Sequence, residues 1–169
     1  GEKLVQAVLG QAIAMGNAET INQVIISIWQ NSQWRDNESS RSVSQQNVLS
    51  DDRVRFSSLA LALDGLAMRG LPLNELSEHA RQLIDEVMQS ARRIAADQNA
   101  TTALRAVSVR LLGREPVAKK ADFELMQSLL APRSAAVLQA AVVTRLAQFS
   151  DHRAAEVLLS GWQIGRAHV

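Results

Sequence analysis

Hydrophobic residues recur every three or four positions along most of the chain, and short polar or turn-forming stretches separate the runs. Residues at this spacing share one face of an α-helix, whereas a half-buried strand alternates apolar and polar residues at every second position. Gly16 ends the first run, as a residue that readily adopts the left-handed stop conformation, and Asn17 can cap the next helix. The pattern predicts an all-α fold.

Proline, glycine and threonine mark the boundaries of the later helices. Pro72 and Pro132 each precede a new apolar run, Thr101 or Thr102 can act as an N-cap, and Gly113 can end the helix that follows. The predicted helices span about 4–15, 17–28, 53–69, 73–96, 102–112 and 121–130, with two more within 137–162.

Residues 31–52 interrupt the helical pattern with the polar run NSQWRDNESSRSVSQQNVLSDD. A polar segment of this length between apolar helices predicts a long surface loop. Trp34 lies within it, surrounded by polar residues. Because exposed aromatic side chains often contribute strongly to interfaces, Trp34 is a candidate contact for a partner protein.

The same pattern of residues occurs at both ends of the chain. LVQAVLGQAIAMGNAETINQVIISIW, residues 4–29, aligns without a gap with VLQAAVVTRLAQFSDHRAAEVLLSGW, residues 137–162. The shared residues include Gln6, Ala7, Ala14 and Trp29, which match Gln139, Ala140, Ala147 and Trp162. Shorter matches relate 104–112 to 138–146 at an offset of 34, and 125–129 to 158–162 at an offset of 33. A period in the low thirties with two helices per unit predicts an α-solenoid of stacked antiparallel helix hairpins.

Composition and charge exclude several classes of protein. The chain has 169 residues, of which 47% are hydrophobic, enough for one domain with a substantial core. A net charge of +1 gives no general attraction to nucleic acid or to a membrane surface, and no apolar run reaches the length of a membrane span. The chain has no cysteine, which excludes disulfides, thiolate metal sites and a Cys-x-x-Cys-His haem attachment in this stretch.

The last six residues, 164–169, have the sequence IGRAHV. The codons ATC GGA AGA GCA CAC GTC of a sequencing adapter encode this peptide, so we expect a non-native tail in a metagenomic fragment. The helical repeat domain is therefore assigned to residues 1–163, with a polar loop at 31–52.

No group of residues in the sequence indicates catalysis or metal binding. His79 lacks the spacing of a metal motif and is expected on an exposed helix surface, while His152 follows Asp151 at a helix start that Asp151 can cap. No histidine can be assigned to a nucleophile, so we predict no catalytic, cofactor-binding or metal-binding residue. The basic residues that could line a concave face are Arg105, Arg110, Arg114, Lys119, Lys120 and Arg145. Of these, Arg105 and Arg110 are, with Trp34, the candidate partner contacts.

Two second helices begin with an apolar and a basic residue, at 54–55 and 104–105, while Leu138-Gln139 departs from this pair. The pattern resembles HEAT and HEAT-like repeats. From Leu61 to Trp162, sequence segments such as ALDGLAMRGLPL and the order in which they occur are similar to those in the helical-repeat region of large planctomycete-type proteins. That family has a dehydrogenase-like β-propeller before the repeats and a c-type cytochrome module after them. The resemblance implies that any haem lies outside this fragment and that the parent protein is periplasmic or on the cell surface.

Three functions are compatible with the sequence. The first is a non-enzymatic scaffold or spacer within a larger exported redox protein, whose partners are the flanking domains of the same chain. The second is a free-standing module that binds another protein. The third is a HEAT-like enzyme acting on nucleic acid, which the nearly neutral charge disfavours. We expect that the chain does not bind nucleic acid and does not insert into a membrane. The sequence identifies no small-molecule substrate.

Overall fold

The computed structural model describes residues 11, 19–27, 45–115 and 118–166, and within them the side chains of 45–51 and 160–166 are not described. The described residues are helices and turns without a strand, so the prediction of an all-α fold is confirmed. The helices are α1 (Gln45–Met68), α2 (Glu78–Ala96), α3 (Thr102–Val109), α4 (Lys119–Leu129), α5 (Ala136–Leu146) and α6 (His152–Arg166). Residues 19–27 are also helical. Trp34, residues 167–169 and the side chain of Trp162 lie outside the described residues.

α1 begins eight residues earlier than the hydrophobic pattern predicts. Residues 45–52 were predicted as the end of the polar loop, and that prediction is wrong for them; residues 31–44 lie outside the described residues. No glycine or proline occurs between Gly16 and Gly65, so the backbone can remain helical through polar residues. Arg55 also pairs with Asp52 across one helical turn, with 3.4 Å between Nη1 and Oδ1.

α2 begins later than predicted, because Pro72 is followed by a separate 3-10 turn over Leu73–Glu75. Ser77 then determines the start of the helix. Its Oγ accepts a hydrogen bond from the Ala80 N–H at 3.2 Å, and its own N–H donates to Asn22 Oδ1 at 3.1 Å. A serine at this position satisfies an amide of the first turn that has no partner within the helix.

The chain divides into two compact units, Gly1–Val87 and Met88–Val169, with the boundary inside α2. The first unit buries apolar residues of the helical segment 19–27, of α1 and of the first half of α2. The core of the second unit contains Ala95, Val109, Leu112, Phe123, Met126, Leu129, Leu138, Val142, Leu146, Ala154 and Val157. In this second unit, α3 packs against α5 and α4 packs against α6.

α3 and α5 repeat the same local structure 34 residues apart. Thr101, before α3, has φ −61° and ψ 142°, and Ala135, before α5, has φ −60° and ψ 139°. The pairs that are buried in both helices and the turns that follow are Leu104 and Leu138, Ser108 and Val142, Leu111 and Arg145, and Leu112 and Leu146. Thr101 is the N-cap, as predicted, since its side chain accepts from the Leu104 N–H. The offset of 33 is not matched in burial, because Met126 is buried and Leu159 is exposed.

Gly113 ends the turn after α3 with φ +73°, a left-handed conformation that glycine adopts without strain. A Cβ atom added to Gly113 would lie 2.6 Å from Cζ of Phe149. Phe149 belongs to the connection between α5 and α6, so this connection covers the end of the α3 turn. The predicted stop at Gly113 therefore has a second cause, which is the close approach of an aromatic ring.

Candidate functional site

Charged groups are buried in the second unit around the carboxylate of Asp122. Asp122 lies in the first turn of α4, four residues before Met126, and therefore on the apolar face of the helix. Its side chain is 1% exposed. A carboxylate at this depth is strongly unfavourable unless donors and a positive charge compensate it.

Arg92, on α2, supplies the positive charge. Its Nε lies 2.8 Å from Asp122 Oδ1 and its Nη2 lies 3.3 Å from Oδ2, so the guanidinium contacts both oxygens. The Gly113 N–H donates to Oδ2 at 2.7 Å, and Glu115 Oε2 accepts from Arg92 Nη2 at 2.6 Å. We call these four residues, Arg92, Gly113, Glu115 and Asp122, the Asp122 network.

The Asp122 network connects α2, the turn after α3 and the start of α4. The hydrogen bond to Asp122 raises the pKa of Arg92, burial of the guanidinium acts in the opposite direction, and Glu115 adds to the increase. Arginine keeps its proton at any physiological pH, so Arg92 remains a positive charge and a hydrogen-bond donor to both carboxylates. Donors engage both oxygens of Asp122. The network therefore holds three segments together.

A second polar cluster surrounds the ring of Phe149. Lys119 Nζ lies 2.9 Å from Asp151 Oδ2 and 5.7 Å from the ring centre, and the guanidinium carbon of Arg145 lies 4.3 Å from the same centre. The hydrogen bond from Lys119 lowers the pKa of Asp151, and a backbone amide in the first turn of α6 lowers it further. Asp151 accepts that amide at 3.0 Å, which confirms the predicted N-cap. These cations stack on an aromatic face and bond within the chain.

Arg105, a predicted partner contact, is half-buried and bonds within the chain. Its Nε donates to the carbonyl oxygen of Ala95, in the last turn of α2, at 3.1 Å. Gln139, 34 residues later, donates through Nε2 to the carbonyl oxygen of Ala131, just after α4, at 2.8 Å. Both side chains satisfy carbonyl groups at a helix C-terminus. The glutamine thus keeps the hydrogen bond although it lacks the charge.

Arg110 is exposed at the C-terminal end of α3, where a partner can reach it. It lies five residues after Arg105, so the two arginines are about 140° apart around the helix axis and do not share a face. Trp34, the third predicted contact, is outside the described residues. The proposal of a partner contact through these three residues stays a prediction.

His79 is exposed on α2, as predicted, and His152 is exposed at the start of α6. No group of three metal-binding side chains converges within the described part of the chain. The described helices also include none with the length and hydropathy to cross a membrane.

The first unit contains a small apolar cavity of about 20 Å³. Its lining residues are Ile25, Arg55, Ser58, Leu59, Ala62, Leu83, Ile84 and Val87. Ser58 is fully buried, and its Oγ has no hydrogen-bond partner among the described residues. A buried hydroxyl without a partner lowers stability, so Ser58 is a weak point in the packing of α1.

Sequence reasoning missed the Asp122 network, although the pattern contained a signal for it. Asp122 precedes Phe123 on a face that continues to Met126, and Arg92 follows Met88 by one turn on an equally apolar face. A charged residue in the middle of an apolar stripe indicates a buried pair. Which arginine meets which carboxylate depends on how the helices pack, and the spacing along the chain does not contain that information.

The sequence matches no family model, and no curated protein or solved structure is significantly similar to it. The functional interpretation therefore depends on the contacts within the described residues. These contacts join helices to one another at the Asp122 network, at Phe149 and at the helix C-termini.

Proposed function

We propose that this chain is a non-enzymatic scaffold segment built as an α-solenoid, in which antiparallel helix hairpins stack as HEAT-like repeats. The observation that carries the proposal is a set of features shared by α3 and α5: the dihedrals of the residue before each helix, four pairs of buried positions, and a side-chain bond to the preceding helix. A hairpin with one apolar face is stable only when its neighbours cover that face. The packing of α3 on α5 and of α4 on α6 fits successive layers of such hairpins.

A spacer function requires that adjacent helices keep a fixed arrangement. The Asp122 network supports this, because it links α2, the α3 turn and α4 through bonds of 2.6–3.3 Å. Lys119 similarly joins the start of α4 to Asp151 at the start of α6. Such charge-assisted bonds favour one geometry over alternative packings of the same apolar surfaces.

The chemistry of the described residues supports a structural function over an enzymatic one. Among the described groups, the two with shifted pKa values, Arg92 and Asp151, are both engaged in ion pairs that join helical segments. Catalytic groups with perturbed pKa values instead face a cleft where a substrate can bind. The described residues that line the apolar cavity in the first unit include no carboxylate or histidine.

Hydrogen exchange on the whole chain tests the repeat arrangement. Val157 is buried in α6, so Val157→Asp is expected to expose the amides of α6 first and those of α4 and α5 next, while α1 stays protected. Glu156→Ala, on the exposed side of the same helix, serves as the control and should leave exchange unchanged. A uniform loss of protection through α1 would indicate one cooperative globular domain and would contradict the proposal.

The parent protein implied by the resemblance is an exported redox protein, and its reading frame tests that assignment. We expect codons for further helix hairpins and a downstream Cys-x-x-Cys-His motif. A complete frame without a haem motif would favour the second function, a free-standing module that binds another protein.

The basic residues give little support to a nucleic-acid function. Arg145 is buried and Lys119 is paired with Asp151, so two of the six cations considered are engaged inside the second unit. Arg105 donates to a helix C-terminus. We therefore expect no DNA binding at physiological salt, and salt-dependent binding of a duplex in a mobility-shift assay would contradict this.

A further inference from the structure

One side of α5 is exposed although the equivalent side of α3 is covered. Val109 is 0% exposed, whereas Val143, 34 residues later, is 45% exposed. The positions that differ in this way are Ala106 and Ala140, Val109 and Val143, and Gly113 and Ala147. Residues 140, 143 and 147 are three and four positions apart and therefore lie on one side of the helix. We call them the α5 face.

The covered side of α3 shows which kind of element packs there. α5 packs on α3, and Val109 shares one buried cluster with Leu138, Val142 and Leu146 of α5. Phe149, in the connection after α5, covers Gly113. The element that covers α3 is therefore the next helix hairpin, which contributes its leucine and valine side.

We propose that the α5 face is a docking surface for a further helix hairpin, which packs on α5 as α5 packs on α3; this rests on the repeat arrangement proposed above. In the buried cluster of the second unit, Val109 of α3 lies together with the leucine and valine side of α5, so the α5 face fits a leucine- and valine-rich side better than a second α5 face. Ala147, at the position equivalent to Gly113, carries a Cβ atom. The residue of the docked hairpin that contacts Ala147 must therefore be smaller than Phe149, which contacts Gly113.

Cysteine labelling tests the proposal, because the chain contains no cysteine of its own. Val143→Cys is introduced into the whole chain, with and without a second copy of residues 130–163 that carries Phe149→Ala and is inserted after Gln163. The second copy is expected to slow the reaction of this thiol with a maleimide by at least about tenfold, since a covered thiol reacts slowly. Val137→Cys is the matched control. Val137 is exposed, and its equivalent Ala103 is exposed in the covered helix, so its labelling should stay fast.

A second control asks whether the inserted copy acts through the expected side. A copy that carries Leu138→Asp and Val142→Asp should leave Val143→Cys as reactive as it is without a copy. Unchanged labelling with the intact copy, equal slowing at Val137→Cys, or an inserted copy that adds no helix signal would each overturn the proposal. Protection of Val143→Cys that rises with protein concentration in the unextended chain would also overturn it, because a second copy would then occupy the face.

Val109→Cys separates failure of this inference from failure of the repeat arrangement. In the unextended chain, the repeat arrangement requires that this thiol is protected while Val143→Cys reacts. If both react at the same rate, the repeat arrangement itself is wrong. If Val109→Cys is protected and the inserted copy does not slow Val143→Cys, only the docking surface is wrong.

Discussion

Removing the carboxylate of Asp122 should destabilise the protein far more than removing that of Glu115, although both bind the same guanidinium. Asp122 is 1% exposed and accepts bonds from Arg92 and from the Gly113 amide. Glu115 is 23% exposed and makes one bond to Arg92, at 2.6 Å. The shorter bond thus belongs to the carboxylate that we expect to matter less, because burial and not distance determines the cost.

The magnitude follows from what each change leaves unpaired. Breaking a buried ion pair by removing one partner costs about 3–5 kcal/mol, since the remaining charge stays buried. Arg92 is 20% exposed and retains Glu115, so we expect the lower end, about 3 kcal/mol, for Asp122→Ala. The Gly113 N–H also loses its acceptor in this variant. Glu115→Ala removes a partly exposed pair and is expected to cost about 0–1 kcal/mol.

Urea unfolding followed by far-ultraviolet circular dichroism measures both variants against the parent chain. Because the network lies in the second unit, exchange of the Gly113 amide provides a local measurement that does not assume a single transition. If Asp122→Ala does not fold, Asp122→Asn replaces it, with an expected cost of about 2 kcal/mol because the amide oxygen can still accept from Gly113. Equal losses at Asp122 and Glu115 would refute the reasoning, as would a loss below 1 kcal/mol for Asp122→Ala.

Three other changes test separate features of the structure. Ser58→Ala should raise the free energy of unfolding by about 1 kcal/mol, because it removes a buried hydroxyl that has no partner among the described residues. Ser108→Ala breaks a bond of 2.9 Å and should give no gain in the same urea assay. Gly113→Ala should cost at least about 2 kcal/mol, from the left-handed backbone and from contact with the ring across the turn. Lys119→Met should raise the pKa of Asp151, which carboxyl NMR titration measures. Since the folded pKa of Asp151 is lowered, its contribution to stability is present above the unfolded pKa and is lost as the pH falls through the folded value.

Each of these changes has an outcome that contradicts it. Gly70 has φ +66° and open space around it, so Gly70→Ala carries only the backbone cost, about 1 kcal/mol, and a loss as large as that of Gly113→Ala would exclude the role of Phe149. Equal effects of the two serine changes would show that the hydroxyl at Ser58 is satisfied. An Asp151 pKa that does not move in Lys119→Met would mean that the ion pair does not form in solution.

The parts of the fold that depend on neighbouring residues were predictable from the sequence. The all-helical pattern, the cap at Thr101, the cap at Asp151 and the stop at Gly113 each follow from residues within one or two turns. The early start of α1 was missed because polarity was taken as a sign of a loop, while the absence of glycine and proline permits a helix.

The partners in the Asp122 network could not be predicted from the sequence, for a different reason. Its members come from positions 92, 113, 115 and 122, and only the packing of α2 against the following helices selects these partners. The candidate contacts Arg105 and Arg110 were chosen by charge. In the structure, Arg105 donates a hydrogen bond within the chain, whereas Arg110 is exposed. Charge alone could not predict this difference.

In the proposed repeat arrangement, the bonds that Arg105 and Gln139 make to the preceding helix have a consequence for how duplicated hairpins diverge. The carbonyl groups at a helix end require an N–H donor within reach and make no demand on its charge. Mutation can therefore exchange arginine for glutamine at this position and alter the electrostatic surface of one hairpin without loosening it from the next. Copies of a hairpin can in this way acquire different partners while they keep the same packing. Their sequences then lose similarity faster than their structures do.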